Sequence, residues 1–210
     1  MEVSARSVPG SQHPYEDRML VDEKRGLFAV ADGVTNSSHG SGAVAAELAI
    51  KLLKESFQDD VPAAIEKVHR AIFDRRKEDM TIGETTLTAV AVHDRTLQAG
   101  NVGDSPALLI SGNELRSLAQ EDKGLLGNIT QVIGYPEAIE VHMTSVRLNN
   151  WDVVVVASDG VGHVLHAPLV QQLLGRPNVN DAADSIIAAA KAKRTGYDDD
   201  KSVILLKVLP

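Results

Sequence analysis

Apolar residues gather in this chain into short runs that halt at turn residues, and two of the runs halt at the same dipeptide. Leu27 to Ala31 (LFAVA) stops at Asp32-Gly33, and Val153 to Ala157 (VVVVA) stops, one serine later, at Asp159-Gly160. An unbroken apolar run of about five residues closed by turn formers is the pattern of a buried strand. A third run, Val203 to Leu209, begins just after Asp198-Asp199-Asp200. Met19 to Val21 predicts a strand that pairs with Leu27 to Ala31 across the turn-like Asp22 to Gly26. Val3, Ala5 and Ser7-Val8 predict an edge strand before Pro9-Gly10.

The middle of the chain alternates. Thr85 to Val92 is rich in β-branched residues, and Leu97 to Asn101 and Ala107 to Ile110 follow at hairpin distance. The turn Ser111 to Glu114 leads into Leu115 to Leu118. Val141 to Leu148 and Val153 to Ala157 predict another antiparallel pair across Asn149-Asn150, and Ala119 to Pro136 predicts a loop with a short helical piece. Helical spacing marks Ser41 to Phe57 (Val44, Leu48, Leu52; Ala45, Ala49, Leu53), Val61 to Lys77 with Pro62 in its first turn, His163 to Leu174, and Asp181 to Lys193. Strands in hairpins, interrupted by a helix pair after each Asp-Gly, fit an α+β domain of two antiparallel sheets packed together with helices on their outer faces. With no linker, repeat or low-complexity tract, residues 1–210 are expected to form a single domain.

Composition narrows the function. A formal net charge of −8 argues against nonspecific nucleic-acid or anionic-membrane binding, and an aromatic content of 3% leaves little for a base-stacking platform. The absence of cysteine excludes disulfides and thiolate chemistry and fits a reducing compartment. The first residues lack the apolar core of a secretory signal, and no run approaches the roughly 20 residues of a membrane span, so a cytoplasmic location and no membrane partner are expected.

Candidate chemistry follows from the strand ends. Asp32, Asp159 and the Asp198 to Asp200 cluster each sit where a strand begins or stops, a position that holds a carboxylate rigidly while leaving it open to a ligand. Hard oxygen donors without thiolates suit magnesium, manganese or calcium rather than structural zinc. No cysteine exists to act as a nucleophile, and no serine lies in a GxSxG elbow.

Glu16-Asp17, FAVADG (28–33), GETTLTAVAV (83–92), GNVGDSPALLI (100–110), VVVVASDGV (153–161) and DDDKSVILLKV (198–208) occur in one order. Together they resemble the metal-dependent serine/threonine protein phosphatases of type 2C, over nearly the whole chain. The resemblance implies a four-layer α-β-β-α sandwich with two Mn²⁺ or Mg²⁺ ions at one end of the stacked sheets. By position, Asp32 would bridge the ions, Gly33 would lend its carbonyl, and Asp159 and Asp199 would complete one of them. Asp199 is preferred to its neighbours because it stands four before Val203, which puts Asp200 at the usual Asn position. Glu16 and Asp17 would orient water, and Asp104 falls where the family binds an optional third metal. Two divalent ions suit phosphate ester hydrolysis, since they acidify the attacking water and neutralise the phosphoryl oxygens.

The chain departs from the family pattern on the substrate side. Gln12 stands where the family has a phosphate-binding Arg, which leaves Arg6, Arg18 and Lys123 as replacements, with Arg18 nearest along the chain. Val34 stands where a His often serves as general acid; His39, further along the loop, is the candidate for that role, against the plainer reading of a solvated loop histidine. His163 replaces an Asp expected after Asp159-Gly160, and Ala119 to Gly127 has no room for the family's flap subdomain. The reading is a Mn²⁺- or Mg²⁺-dependent phosphatase acting, as a monomer, on phosphoserine or phosphothreonine in a protein partner. A non-catalytic module binding metal or a phosphoprotein, and a phosphatase for small esters, stay open at this point.

Overall fold

The computed structural model describes residues 1–35, 37, 39–166, 178–193 and 196–210. Two five-stranded antiparallel sheets stack face to face. The first has the order β1 (Glu2–Val8), β10 (Lys201–Lys207), β9 (Val153–Ala157), β6 (Ala107–Ser111), β7 (Glu114–Ser117); the second has β2 (Arg18–Asp22), β3 (Leu27–Ala31), β4 (Leu87–His93), β5 (Thr96–Val102), β8 (His142–Arg147). Helices α1 (Gly42–Ser56) and α2 (Val61–Arg76) cover the outer face of the second sheet, and α3 (Asp159–Gly162) and α4 (Val179–Ala192) cover that of the first. The expected α-β-β-α sandwich is what forms.

The unbroken apolar runs now have a reason. Along β3, Leu27, Ala29 and Ala31 join the core beneath α1 and α2, while Phe28 and Val30 join the layer between the sheets. Likewise Val153, Val155 and Ala157 of β9 face α4, and Val154 and Val156 face inward, beside Ile204 and Leu206 of β10. A strand with a core on each side cannot alternate apolar with polar. Each valine, leucine, isoleucine or phenylalanine among them contributes about 2 kcal/mol of burial before chain entropy is counted, and each alanine under half of that. Asp60 caps α2 by accepting from the Ala63 N–H at 3.0 Å, and Asn178 caps α4 from the Asp181 N–H at 2.9 Å.

Four expectations are corrected. Val141 to Leu148 and Val153 to Ala157 do not pair: β8 is the edge of the second sheet beside β5, and β9 is central in the first. Their burial differs accordingly, since β8 alternates between half-buried and exposed while every residue of β9 is buried. The β5–β6 connection likewise crosses between sheets through Gly103 to Pro106 rather than closing a hairpin. Ala119 to Pro136 holds no helical piece; bridges Lys123–Ile129, Thr85–Ile133 and Val132–Tyr135 tie it down. Of the helix expected over His163 to Leu174, residues 163–166 are non-helical, and 167–174 lie outside the described residues. Among the described residues no helix is long and apolar enough to cross a membrane.

Candidate metal centre

The crossing topology gathers strand ends from both sheets into one cleft of about 340 Å³, lined in part by Asp32, Asp104, Asp159 and Asp199. Asp32 follows β3, Asp104 lies between β5 and β6, Asp159 opens α3 two residues beyond β9, and Asp199 directs the chain into β10. Thr85 and Thr86 clamp the backbone of Asp32. The Thr86 N–H and the Thr85 hydroxyl each donate to its carbonyl at 2.8 Å, and its N–H donates to the Thr86 hydroxyl at 3.0 Å. Gly33 cannot carry a side chain, because a Cβ there would stand 2.4 Å from the Gly42 carbonyl carbon at the start of α1. A Cβ on Gly160 would lie 2.0 Å from the Asp200 carbonyl oxygen, so glycine is required after Asp159 as well.

The three consecutive aspartates have three environments. Asp198 is tied outward, to Lys201 at 2.6 Å and to the Ser11 hydroxyl at 2.8 Å. Asp199 lines the cleft. Asp200 is buried and accepts backbone N–H bonds from Gly10 (2.7 Å), Glu16 (2.6 Å) and Asp17 (3.3 Å). It thereby fixes the segment that carries the acidic pair behind the cleft. Glu16 accepts from the Thr35 hydroxyl at 2.6 Å, and Asp17 from the Ser158 hydroxyl at 2.8 Å, while Asp17 Oδ1 is buried with no hydrogen-bond partner.

His13 belongs to this cluster and was not singled out from the sequence. Its side chain is only 4% exposed, Nε2 lies 2.8 Å from Asp199 Oδ1, and its ring stacks on Tyr197 of the cleft wall. Burial lowers its pKa, but the Pro14 carbonyl and Asp199 outweigh that and raise it overall. Nothing in periodicity marks this histidine; its place three residues before Glu16 is the one usable signal.

The substrate-side candidates fall differently. Arg18 does not line the cleft: its guanidinium donates to the Asp17 carbonyl at 2.8 Å, lies over Tyr15, and reaches Glu47 at 3.9 Å. His39 lines another hollow, with Phe73, Arg76 and Tyr135. Arg6 pairs with Asp184 on α4 at 2.6 Å. Lys123 stands beside the cleft through its pairing with Asp104, its Nζ 3.3 Å from Asp104 Oδ2 and 3.4 Å from Glu121 Oε2.

Electrostatics fit a cation. Burial pushes the Asp17 carboxyl up to about 7, with Asp200 and Asp199 adding to it against the Ser202 and Ser158 hydroxyls. Burial also takes Asp159 up to about 6, helped by Asp104 and Asp199. Asp32 is held well above the usual carboxylate range by burial first, and then by Asp17, Asp159, Asp199 and Asp104. Crowded, desolvated carboxylates repel one another until a positive charge joins them. The orphaned Asp17 oxygen and the all-oxygen donor set match a hard divalent ion. Among the described residues no three acidic or histidine side chains converge on one point, so an ion would draw part of its coordination from backbone carbonyl and water.

A stability prediction follows. In chelator, the chain is expected to become more stable as pH falls from about 8 to about 5. A carboxylate whose folded pKa is raised costs the fold stability above that pKa and costs nothing below its unfolded value near 4. Asp17 and Asp159 place the rise through 7 and 6. Melting curves across this range check it; saturating Mn²⁺ is expected to cancel the trend, and a flat metal-free profile would contradict it.

Residues 6–193 match the sequence profile of the family described as protein phosphatase 2C. The serine/threonine phosphatase stp of Listeria welshimeri is 25% identical over 234 residues, covering 93% of this chain and 91% of the relative. Among solved structures, the Mycobacterium tuberculosis serine/threonine phosphatase PstP/Ppp superposes with a TM-score of 0.85 at 22% identity, over 100% of this chain and 99% of that one. The catalytic domain of PstP in complex with two manganese ions gives 0.82 at 24% identity, over 99% and 98%. The chain belongs to the protein phosphatase 2C family, whose members are metal-dependent serine/threonine protein phosphatases.

Proposed function

We propose that this cleft hydrolyses phosphoserine and phosphothreonine monoesters on proteins in the cytoplasm, the chain acting as a monomer. The observation that carries the reading is the convergence of Asp32, Asp104, Asp159 and Asp199, from the ends of both sheets, on one cleft with no basic side chain among its described lining. When bound, two Mn²⁺ or Mg²⁺ ions supply an acidified water and neutralise charge on the phosphoryl group. Asp32, the Gly33 carbonyl, Asp159 and Asp199 would hold the ions. Glu16 and the unpartnered Oδ1 of Asp17 accept hydrogen bonds from water and so aim it. Lys123, rather than Arg18, meets the substrate phosphate with its ammonium group. Asp104 takes a third ion only by giving up its pairing with Lys123. His39, in its separate hollow, has no part in this scheme.

The test is hydrolysis of para-nitrophenyl phosphate and of a phosphothreonine peptide with Mn²⁺, with Mg²⁺ and with chelator. Turnover that needs metal supports the reading. Metal binding seen by calorimetry without turnover of either substrate would favour a non-catalytic module. Lys123→Met is expected to raise KM about tenfold with kcat little changed, the loss of one charge-assisted contact to phosphate. An unchanged KM would remove Lys123 from substrate binding.

A further inference from the structure

The loop between β7 and β8 carries two leucines that nothing in the fold uses. Its root is fixed. Asp122 accepts from the Gly103 N–H at 2.8 Å and from Gln131 Nε2 at 2.8 Å, and lies 2.8 Å from His142 Nε2. Its own N–H donates to the Gly103 carbonyl at 3.0 Å, and its carbonyl accepts from Thr130 at 2.8 Å. Above this root the chain reverses tightly: the Gly124 N–H donates to the Asn128 carbonyl at 2.8 Å and the Gly127 N–H to the Gly124 carbonyl at 2.9 Å. Leu125 and Leu126 form the tip, 107% and 96% exposed. Gly127 and Ile129, on the returning arm, line the carboxylate cleft.

Two adjacent, fully solvated leucines on a pinned turn gain nothing from the fold and form an apolar spot that a covering partner would stabilise. Their position says what does. Leu126 stands one residue, about 3.8 Å of chain, from a residue of the cleft wall. Under the phosphatase reading, the chain that enters this cleft is the polypeptide flanking the phosphorylated residue. An extended peptide advances about 3.3 Å per residue, so side chains two or three positions from the phosphoresidue lie about 7–10 Å along it, the range in which a wall one residue from Leu126 would be met. The geometry points to the Leu125–Leu126 tip as a substrate-docking element that selects phosphoproteins with an aliphatic or aromatic residue two or three positions from the phosphoserine or phosphothreonine. This rests on the phosphatase reading and adds the substrate class to it. It also assigns the turn a role in substrate selection where the chain lacks a flap.

The experiment compares the full chain with the Leu125→Ser/Leu126→Ser variant, which removes no packed side chain. Three substrates are used: para-nitrophenyl phosphate, a phosphothreonine peptide with leucine two and three positions away on both sides, and the same peptide with serine there. The variant is expected to keep its kcat/KM on para-nitrophenyl phosphate and on the serine peptide. On the leucine peptide it is expected to lose about tenfold, through KM. Equal kinetics of parent and variant on the leucine peptide, or an equal loss on both peptides, would overturn the inference. Fluorescence anisotropy of the labelled peptides on the Mn²⁺-loaded proteins keeps the two questions apart. Absent turnover of every substrate by the parent defeats the phosphatase reading alone, whereas equal anisotropy titrations of the leucine peptide for parent and variant defeat the docking inference.

Discussion

Asp32→Asn is expected to lower Mn²⁺-dependent hydrolysis about a thousand-fold, some 4 kcal/mol of transition-state stabilisation, while raising the melting temperature of the metal-free chain. The two effects have one cause. Asp32 stands among Asp17, Asp104, Asp159 and Asp199, whose charges, together with burial, hold its carboxyl well above the ordinary range. Asparagine is neutral without the cost of burying a charge or taking up a proton, so the metal-free fold gains, but it also removes the anionic oxygen proposed to hold the ions. The backbone clamps from Thr85 and Thr86 do not involve the altered side chain, so the site keeps its frame. Steady-state kinetics and melting in chelator measure the two arms. Turnover within tenfold of the parent would remove Asp32 from the ion-binding set, and a lowered melting temperature would refute the repulsion argument.

Asp200→Ala is expected to cost about 3 kcal/mol in urea unfolding and to weaken Mn²⁺ binding about tenfold or more. The substitution strips the acceptor from the Gly10, Glu16 and Asp17 N–H groups in a buried setting, where each unpaired group costs about 1–3 kcal/mol. Relief of the repulsion that Asp200 exerts on Asp17 offsets part of this. The loss of ion affinity comes from the freed segment, since Glu16, Asp17 and His13 all ride on it. Asp200→Asn keeps one acceptor oxygen and is expected to lose less on both counts. Chemical denaturation and calorimetric titration with Mn²⁺ decide it: an alanine variant with parental stability and affinity would make the three hydrogen bonds idle.

The layers were legible from the chain because β3 and β9 show no alternation, which only strands with a core on both sides can sustain. Which strand joins which sheet was much less so. The β5–β6 and β8–β9 connections are as short as hairpin loops, and loop length alone does not say whether a chain turns back or steps across to the facing sheet. The exposure pattern of β8 carried that information, but its half-polar sequence suits either an edge or a hairpin arm. In the site, Asp32, Asp104, Asp159 and Asp199 were found through blocks at strand ends, and the fold brings them to one cleft. Arg18 was preferred by distance along the chain, yet it lies outside the cleft lining, while the loop carrying Lys123 folds back onto Asp104. His13 was missed because a single histidine beside a proline has no pattern; the arrival of Asp199 from 186 residues away is what ties it to the carboxylate cluster.

Asp32 hangs from one sheet and Asp159 and Asp199 from the other, with the layer of Phe28, Val30, Val154, Val156, Ile204 and Leu206 between them. The separation of the carboxylates is therefore set by the thickness of that hydrocarbon filling, and the proposed ion site acts as a caliper across it. Ion affinity becomes a readout of residues that hold no polar side-chain atom, and a methyl group lost from the filling is felt as a misfit at the jaws. Tolerance to substitution should accordingly be narrower in this layer than beneath the helices, where the same lost volume leaves the jaws unmoved.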